Sequence, residues 1–213
     1  MDVPLFDKCI NYISRNYTVV QVEDLVNLQP EKHKNKFATI TLDDGYKDNI
    51  IYAAPILDKY KVKVSFYVVT DCVEKNIPTW THVLEYLFQY SGKTKIDLGF
   101  GFLPEKFRIS EFRNSVEKIY YAENLIPFIK TLTHEERNLI IDTVTRTFDD
   151  VEIPGLMMDW KDIKELSGHG HIIGSHTCTH SILTHIKDEA ELKRELTESG
   201  NIIMKNVGYF PST

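Results

Sequence analysis

The sequence predicts an α/β fold built around a parallel sheet, and three observations favour this class. Residues 37–42 and 62–69 are runs of apolar, β-branched and aromatic side chains, which is typical of buried strands. Between them, residues 46–60 place apolar side chains at helical spacing. A strand, a helix and a second strand in this order form a right-handed crossover, so we expect two parallel strands with the helix packed on the sheet.

The same rules predict the remaining elements outside the middle of the chain. On the N-terminal side we expect a helix at 4–14, a short strand at 17–20 and a short helix at 22–28. On the C-terminal side we expect a helix at 160–166, a strand at 171–174, a helix that carries Leu192, Leu196 and Ile203, and a last strand at 207–210.

The middle of the chain, residues 74–156, has a different pattern. Three helical patterns occur there, at 79–89, 110–121 and 133–148, with glycine- and proline-containing breaks between them. We therefore expect an inserted helical lobe within one domain that spans residues 1–213.

Composition excludes several classes of protein. The chain has 213 residues, 42% hydrophobic and 26% charged, which is ordinary for a globular domain. Its formal charge of −6, without a run of basic residues, argues against a nucleic-acid partner. No apolar stretch approaches the roughly 20 residues of a transmembrane helix, and the N-terminus lacks the features of a signal peptide, so a cytoplasmic protein is expected. The oligomeric state stays open.

The cysteines predict neither a disulfide framework nor a cysteine zinc site. There are three of them, Cys9, Cys72 and Cys178, an odd number at unrelated spacings. A reducing compartment fits this usage best.

Two short motifs could carry chemistry. Asp43 and Asp44 follow the predicted strand at 37–42, and His176 and His180 follow the strand at 171–174. Histidines at i and i+4 lie on one face of a helical turn and can bind one metal ion, to which one carboxylate adds a third ligand. The open position holds a water of lowered pKa, and a second carboxylate can take its proton. This combination is typical of a metal-dependent hydrolase.

Each motif also has a simpler interpretation. The acidic pair could be a strand-end turn or a helix cap, and Asp149-Asp150 is a second pair of the same kind. Two histidines four residues apart could lie on an exposed helical face. Both motifs would then be coincidental, and no stoichiometric metal would bind.

The two motifs resemble those of a known family, the polysaccharide deacetylases with the NodB homology domain, also called carbohydrate esterase family 4. Thr41-Leu42-Asp43-Asp44-Gly45-Tyr46 is similar to its first motif, and the segment from Gly174 to Ser181 is similar to its second. The resemblance implies a distorted β/α barrel, with Asp43 as catalytic base and Asp44, His176 and His180 as ligands of a divalent metal, most often zinc. It implies hydrolysis of an acetyl group, usually N-acetyl, on an aminosugar of a polysaccharide or its precursor.

The family's later motifs do not occur in the 213 residues. They comprise an arginine with a proline-aromatic pair, an Asp/Trp motif and a Leu-x-His motif that supplies the general acid, and residues 209–213 contain no arginine. We therefore expect an incomplete barrel. The alternative is a truncated or degenerate deacetylase-like domain that binds metal or a partner without turnover.

Other candidate residues are expected to be structural. His185 lies five residues after His180, off the shared helical face, and a solvent-facing loop position is favoured over a role as acid. Packing or ordinary structural roles are also expected for His169, His171, Cys178, Trp80 and Trp160.

Overall fold

The computed structural model describes residues 2–28 and 36–212, which form two compact units. Unit one comprises the described residues of Met1–Asn76, Leu156–His180 and Lys193–Thr213. Unit two comprises Ile77–Gly155 and Ser181–Leu192. The organisation as a single domain with an insertion at 74–156 stays a prediction.

In unit one, helices and strands alternate along the chain. The elements of both units are α1 Val3–Asn16, β1 Thr18–Val19, a 3-10 helix Val22–Asn27, β2 Phe37–Ala38, β3 Thr41–Leu42, a π-helical turn Asn49–Ala53, α2 Ala54–Lys59, β4 Ser65–Val68, α3 Thr70–Lys75, α4 Trp80–Tyr90, β5 Lys95–Asp97, α5 Glu105–Arg108, β6 Ile109–Glu111, α6 Ser115–Ile129, α7 His134–Thr147, α8 Trp160–Gly168, β7 Ile172–Ser175, a 3-10 turn Leu183–His185 and α9 Glu189–Val207. No helix of the described residues is both long and apolar enough to span a bilayer.

A three-stranded parallel sheet of order β3-β4-β7 organises unit one, which confirms the expected parallel α/β arrangement. Leu42 of β3 pairs with Phe66 of β4, and Val68 at the end of β4 pairs with Ser175 at the end of β7. Phe66, Val68 and Ile173 are fully buried in the core of the unit. Because the strands are parallel, the segments that follow them leave the sheet at one end.

Residues 37–42 form two strands rather than the single strand expected. β2 pairs with β1, whereas β3 pairs with β4, so the run changes its partner between Ala38 and Thr41. The prediction of one continuous buried strand was wrong because one apolar run serves two sheets.

The last strand, expected at 207–210, is absent from the described residues. Helix α9 continues to Val207, and Gly208 ends it with a φ of 98° in the left-handed region that glycine favours. Tyr209 instead caps the sheet edge, since its hydroxyl accepts a hydrogen bond of 2.8 Å from the N–H of Ile173.

Unit two has a core of its own, built mainly from the apolar faces of α4, α6 and α7. The helix expected at 110–121 was placed wrongly. Residues 109–111 form β6, which pairs antiparallel with β5, and α6 begins only after Asn114. The Asn114 side chain accepts the N–H of Glu117 at 3.0 Å, so this N-cap fixes the start of the helix.

Candidate metal centre

Asp43 and Asp44 lie in a tight turn at the carboxyl end of β3. Asp44 and Gly45 both have left-handed backbones, with φ values of 72° and 90°. A β-carbon on Gly45 would lie 3.3 Å from Cγ1 of Val68, so the turn needs glycine for conformation and for space. The N–H of Val69 donates to the carbonyl of Asp44 at 3.3 Å, which ties the turn to the end of β4.

His176 and His180 lie in the loop that leaves β7. The N–H of His176 donates to the carbonyl of Val68 at 3.0 Å, so the sheet hydrogen bonding extends to this histidine. The following segment is not the helical turn that the spacing predicted, because Thr177 and His180 have left-handed φ values of 70° and 59°. A loop, rather than a helix face, brings the two rings together.

The loop is also tied to the N-terminus of α3. The N–H groups of Thr70 and Asp71 donate to the carbonyls of Thr177 and Cys178, at 3.3 and 2.9 Å. The carboxyl end of β4 therefore contacts both motifs, one on each side.

The structure brings Asp44, His176 and His180 together. The Nε2 atoms of His176 and His180 lie 3.5 and 3.4 Å from Oδ1 of Asp44, and the three ligand atoms lie within 4.8 Å of one another. The side chains keep 26–36% of their surface exposed, so an ion can reach the site from solvent.

These residues fit a divalent metal ion. Two atoms that each lie about 2.1 Å from one zinc ion at a tetrahedral angle are about 3.4 Å apart. A direct hydrogen bond between an imidazolium and a carboxylate is shorter, about 2.7–2.9 Å. The two Asp–His separations therefore match ligands of a shared ion better than a hydrogen-bonded ion pair. Two imidazoles and one carboxylate are also a donor set that zinc accepts.

Asp43 has a different environment from Asp44. It is exposed, and its carboxylate has no hydrogen-bond or ion-pair partner among the described residues. Its backbone carbonyl accepts the N–H of Gly45 at 2.9 Å, which fixes its place beside Asp44. An exposed carboxylate without a partner among the described residues can accept a proton.

The nearby cysteines are not suited to bind metal. Burial, together with the charge of Asp44, raises the pKa of Cys72 to about 12. Burial also raises the pKa of Cys178, which is fully buried and lies within 3.6 Å of the Glu195 carbonyl. Both thiols stay protonated at neutral pH, and the expected packing role of Cys178 is confirmed.

Glu195 is a site residue that the sequence analysis missed. The helix that contains it was predicted from the spacing of Leu192, Leu196 and Ile203, but Leu196 is 49% exposed while Glu195 and Ser199 are fully buried. The spacing of Glu195, Ser199 and the buried Ile203 places them on one helical face, which is the signal that could have revealed it.

Of the remaining candidates, His171, Trp160 and Trp80 have the structural roles expected, whereas His185 differs. His171 is buried and its Nδ1 accepts the N–H of Val64 at 3.2 Å. Trp160 packs on the core of unit one and its Nε1 donates to Glu74 at 2.8 Å, while Trp80 packs in unit two. His185, expected to face solvent, is half-buried in a 3-10 turn of unit two.

Comparison with known proteins identifies a matching family. The family model described as polysaccharide deacetylase matches residues 31–213. No curated protein sequence is significantly similar to the chain.

Solved structures share the fold. The Streptococcus pyogenes deacetylase PplD in complex with acetate is 15% identical with a TM-score of 0.56, over 99% of this chain and 60% of that chain. IcaB from Ammonifex degensii is 13% identical with a TM-score of 0.54, over 99% of this chain and 64% of that chain. The BpsB deacetylase domain from Bordetella bronchiseptica is 14% identical with a TM-score of 0.51, over 97% of this chain and 66% of that chain. The chain thus spans less than two thirds of each.

Proposed function

The chain belongs to the polysaccharide deacetylase family, and from this premise we propose that it is a metal-dependent hydrolase acting on the N-acetyl group of an aminosugar. The aminosugar belongs to a polysaccharide or to its precursor. One observation carries the proposal: Asp44, His176 and His180 converge at the carboxyl ends of parallel strands, at separations that suit one ion.

We propose, in addition, that the two units belong to one fold. Unit one is an incomplete β/α barrel, and unit two is a lobe inserted in it. Support comes from the parallel order β3-β4-β7 and from the family match, which runs through both units.

In this proposal three side chains hold the ion and one moves protons. Asp44, His176 and His180 would be the ligands, and a bound ion would supply Lewis-acid polarisation of the acetyl carbonyl and a water of lowered pKa. Asp43 accepts a proton from the attacking water, a role that suits an exposed carboxylate without a partner among the described residues.

The proton balance of the reaction can be met by Asp43. Water adds its oxygen to the acetyl carbon and gives one proton to Asp43. The carbon–nitrogen bond then breaks, and the products are acetic acid, which carries the second proton of the water, and a free amine. At neutral pH the acetic acid releases that second proton to solvent as it becomes acetate. The leaving nitrogen needs one proton, which is the proton that Asp43 has accepted. One carboxylate that acts first as base and then as acid therefore suffices.

Metal analysis combined with an assay of acetate release tests the proposal. The purified chain is reconstituted with zinc, dialysed and incubated with an oligomer of N-acetylglucosamine, beside the Asp44→Ala/His176→Ala variant. We expect about one zinc ion per chain, with acetate and free amine released in equal amounts, and loss of both metal and turnover in the variant. Absence of zinc from the reconstituted wild type would overturn the proposal.

A second candidate function is a deacetylase-like domain that binds metal without turnover. The cluster of Asp44, His176 and His180 supports metal binding by itself, whereas turnover also needs Asp43 to act as base. Zinc bound at the same three residues, with no acetate released from any acetylated oligomer, would favour it over the hydrolase.

A further inference from the structure

We propose that Glu195 is a positioning residue that holds the loop between His176 and His180 in its metal-binding shape. The inference rests on the proposed metal site. Glu195 lies on α9 and is fully buried, which is rare for a carboxylate unless its oxygens are paired.

Both oxygens of the Glu195 carboxylate accept hydrogen bonds. Oε2 accepts the N–H groups of Cys178 and Thr179, at 2.8 and 3.0 Å. Oε1 accepts the hydroxyl of Thr179 at 2.8 Å and the guanidinium of Arg194 at 3.1 Å. Two successive N–H groups directed at one oxygen form an anion-binding nest, which is filled by the protein's own carboxylate.

The two backbone donors lie between the strained residues of the loop. Thr177 precedes them and His180 follows them, and both have left-handed backbones that L-residues rarely adopt. Strained conformations persist only when surrounding contacts fix them. Removal of the carboxylate takes away the acceptor of the buried Cys178 N–H and of the half-buried Thr179 N–H, so the loop loses contacts that hold His180 beside Asp44.

A second contact from the same face of α9 supports this role. Ser199, one helical turn after Glu195, is fully buried, and its Oγ lies 2.7 Å from Oγ of Ser175. Ser175 in turn accepts the N–H of Thr177 at 3.3 Å. One face of α9 therefore contacts the histidine loop near its start and near its end.

The experiment measures metal affinity and metal geometry rather than turnover. Zinc affinity of the full chain is determined by competition with a chromophoric chelator, and the visible spectrum of the cobalt-loaded chain reports the ligand arrangement. The variants are Glu195→Ala, Glu195→Gln and, as matched control, Glu198→Ala. Glu198 lies on the same helix and also pairs with Arg194, at 3.7 Å, but is 54% exposed.

We expect zinc affinity to fall by about 10- to 100-fold in Glu195→Ala, with an altered cobalt spectrum and a circular dichroism spectrum that stays native. Glu195→Gln keeps one acceptor oxygen but loses the charge, so its zinc affinity should lie between that of the wild type and that of Glu195→Ala. Glu198→Ala should have the zinc affinity and the cobalt spectrum of the wild type.

The outcomes separate this inference from the proposed function. Wild-type affinity and an unchanged cobalt spectrum in both Glu195 variants would overturn the positioning role and leave the metal site intact. If Glu195→Ala does not fold, Glu195→Gln alone provides the test. Wild-type zinc affinity and an unchanged cobalt spectrum in Glu195→Gln would then overturn the inference. A wild-type chain that binds neither zinc nor cobalt would instead overturn the metal site itself.

Discussion

The Nε2 atom of His180 lies 3.4 Å from the Oδ1 atom of Asp44, although the two residues follow strands that do not pair with each other. Strand β4 lies between those strands and sets the separation. Its last residue, Val68, accepts the N–H of His176, and the next residue, Val69, donates to the carbonyl of Asp44. The convergence of Asp44, His176 and His180 thus depends on backbone hydrogen bonds as well as on the side chains.

Asp44→Asn tests the proposed carboxylate ligand, because the substitution changes the charge of the side chain and leaves its size and shape almost unchanged. The amide oxygen is neutral and binds zinc more weakly than a carboxylate, so we expect zinc affinity to fall by about 100-fold or more. Competition with a chromophoric chelator measures the change. Asp48→Asn is the matched control, because Asp48 is an exposed aspartate in the same segment and should leave affinity unchanged.

Asp43→Asn separates proton transfer from metal binding. Since Asp43 is proposed as the base and not as a ligand, we expect acetate release to fall by about 10²- to 10⁴-fold while zinc stays bound at wild-type affinity. Rates are measured with the zinc-loaded chain on an N-acetylglucosamine oligomer. A loss of zinc in this variant would mean that Asp43 is a ligand, and wild-type turnover would mean that it is not the base.

Gly45→Ala should disrupt the turn that carries both aspartates. The φ of 90° disfavours any L-residue, and the new methyl group would lie 3.3 Å from Val68. We expect the free energy of unfolding to fall by about 1–3 kcal/mol, together with weaker zinc binding, because Asp44 must move. Urea unfolding measures the first effect and chelator competition the second.

Gly168→Ala is the control for this substitution. Gly168 ends α8, has no positive φ and has open space where a β-carbon would be placed. Its replacement should leave stability within about 0.5 kcal/mol or raise it slightly. An equal loss of stability in both variants would show that the turn at Gly45 does not require glycine.

The sequence was sufficient to predict the strand ends that carry Asp44 and the two histidines, because parallel strands place their following segments at one end of a sheet. It could not predict the loop that joins the histidines. A left-handed threonine such as Thr177 is contrary to local preference, and one of its stabilising contacts, the hydrogen bond from the N–H of Thr70, comes from a segment distant in sequence. An i, i+4 spacing therefore suggested a helical turn where none exists.

Glu195 shows the second limit of the sequence patterns. Hydrophobic periodicity follows apolar residues, so it predicted the helix from Leu192, Leu196 and Ile203 and did not consider Glu195. The Glu195 carboxylate can be buried there because two backbone N–H groups donate hydrogen bonds to it. Those groups belong to Cys178 and Thr179, in the loop that follows β7. Periodicity within one helix contains no information about that partner.

Buried His171 should make the stability of the chain depend on pH. Burial, with a smaller contribution from Lys63, lowers the pKa of His171 from its usual 6.5 to about 4, although Asp58 acts in the opposite direction. Its Nδ1 accepts the N–H of Val64, so protonation there would break a buried hydrogen bond.

The imidazole of His171 takes up a proton near pH 6.5 in the unfolded chain, but only near pH 4 in the folded chain. The contribution of His171 to stability is therefore fully present above pH 6.5 and is lost as pH falls from about 6.5 towards 4, by about 1.4 kcal/mol per pH unit and about 3 kcal/mol in total. His171→Asn keeps an acceptor for Val64 but does not titrate. Urea unfolding of the metal-free chain between pH 7 and 4 should show a flatter profile for the variant, and parallel profiles would contradict the assignment.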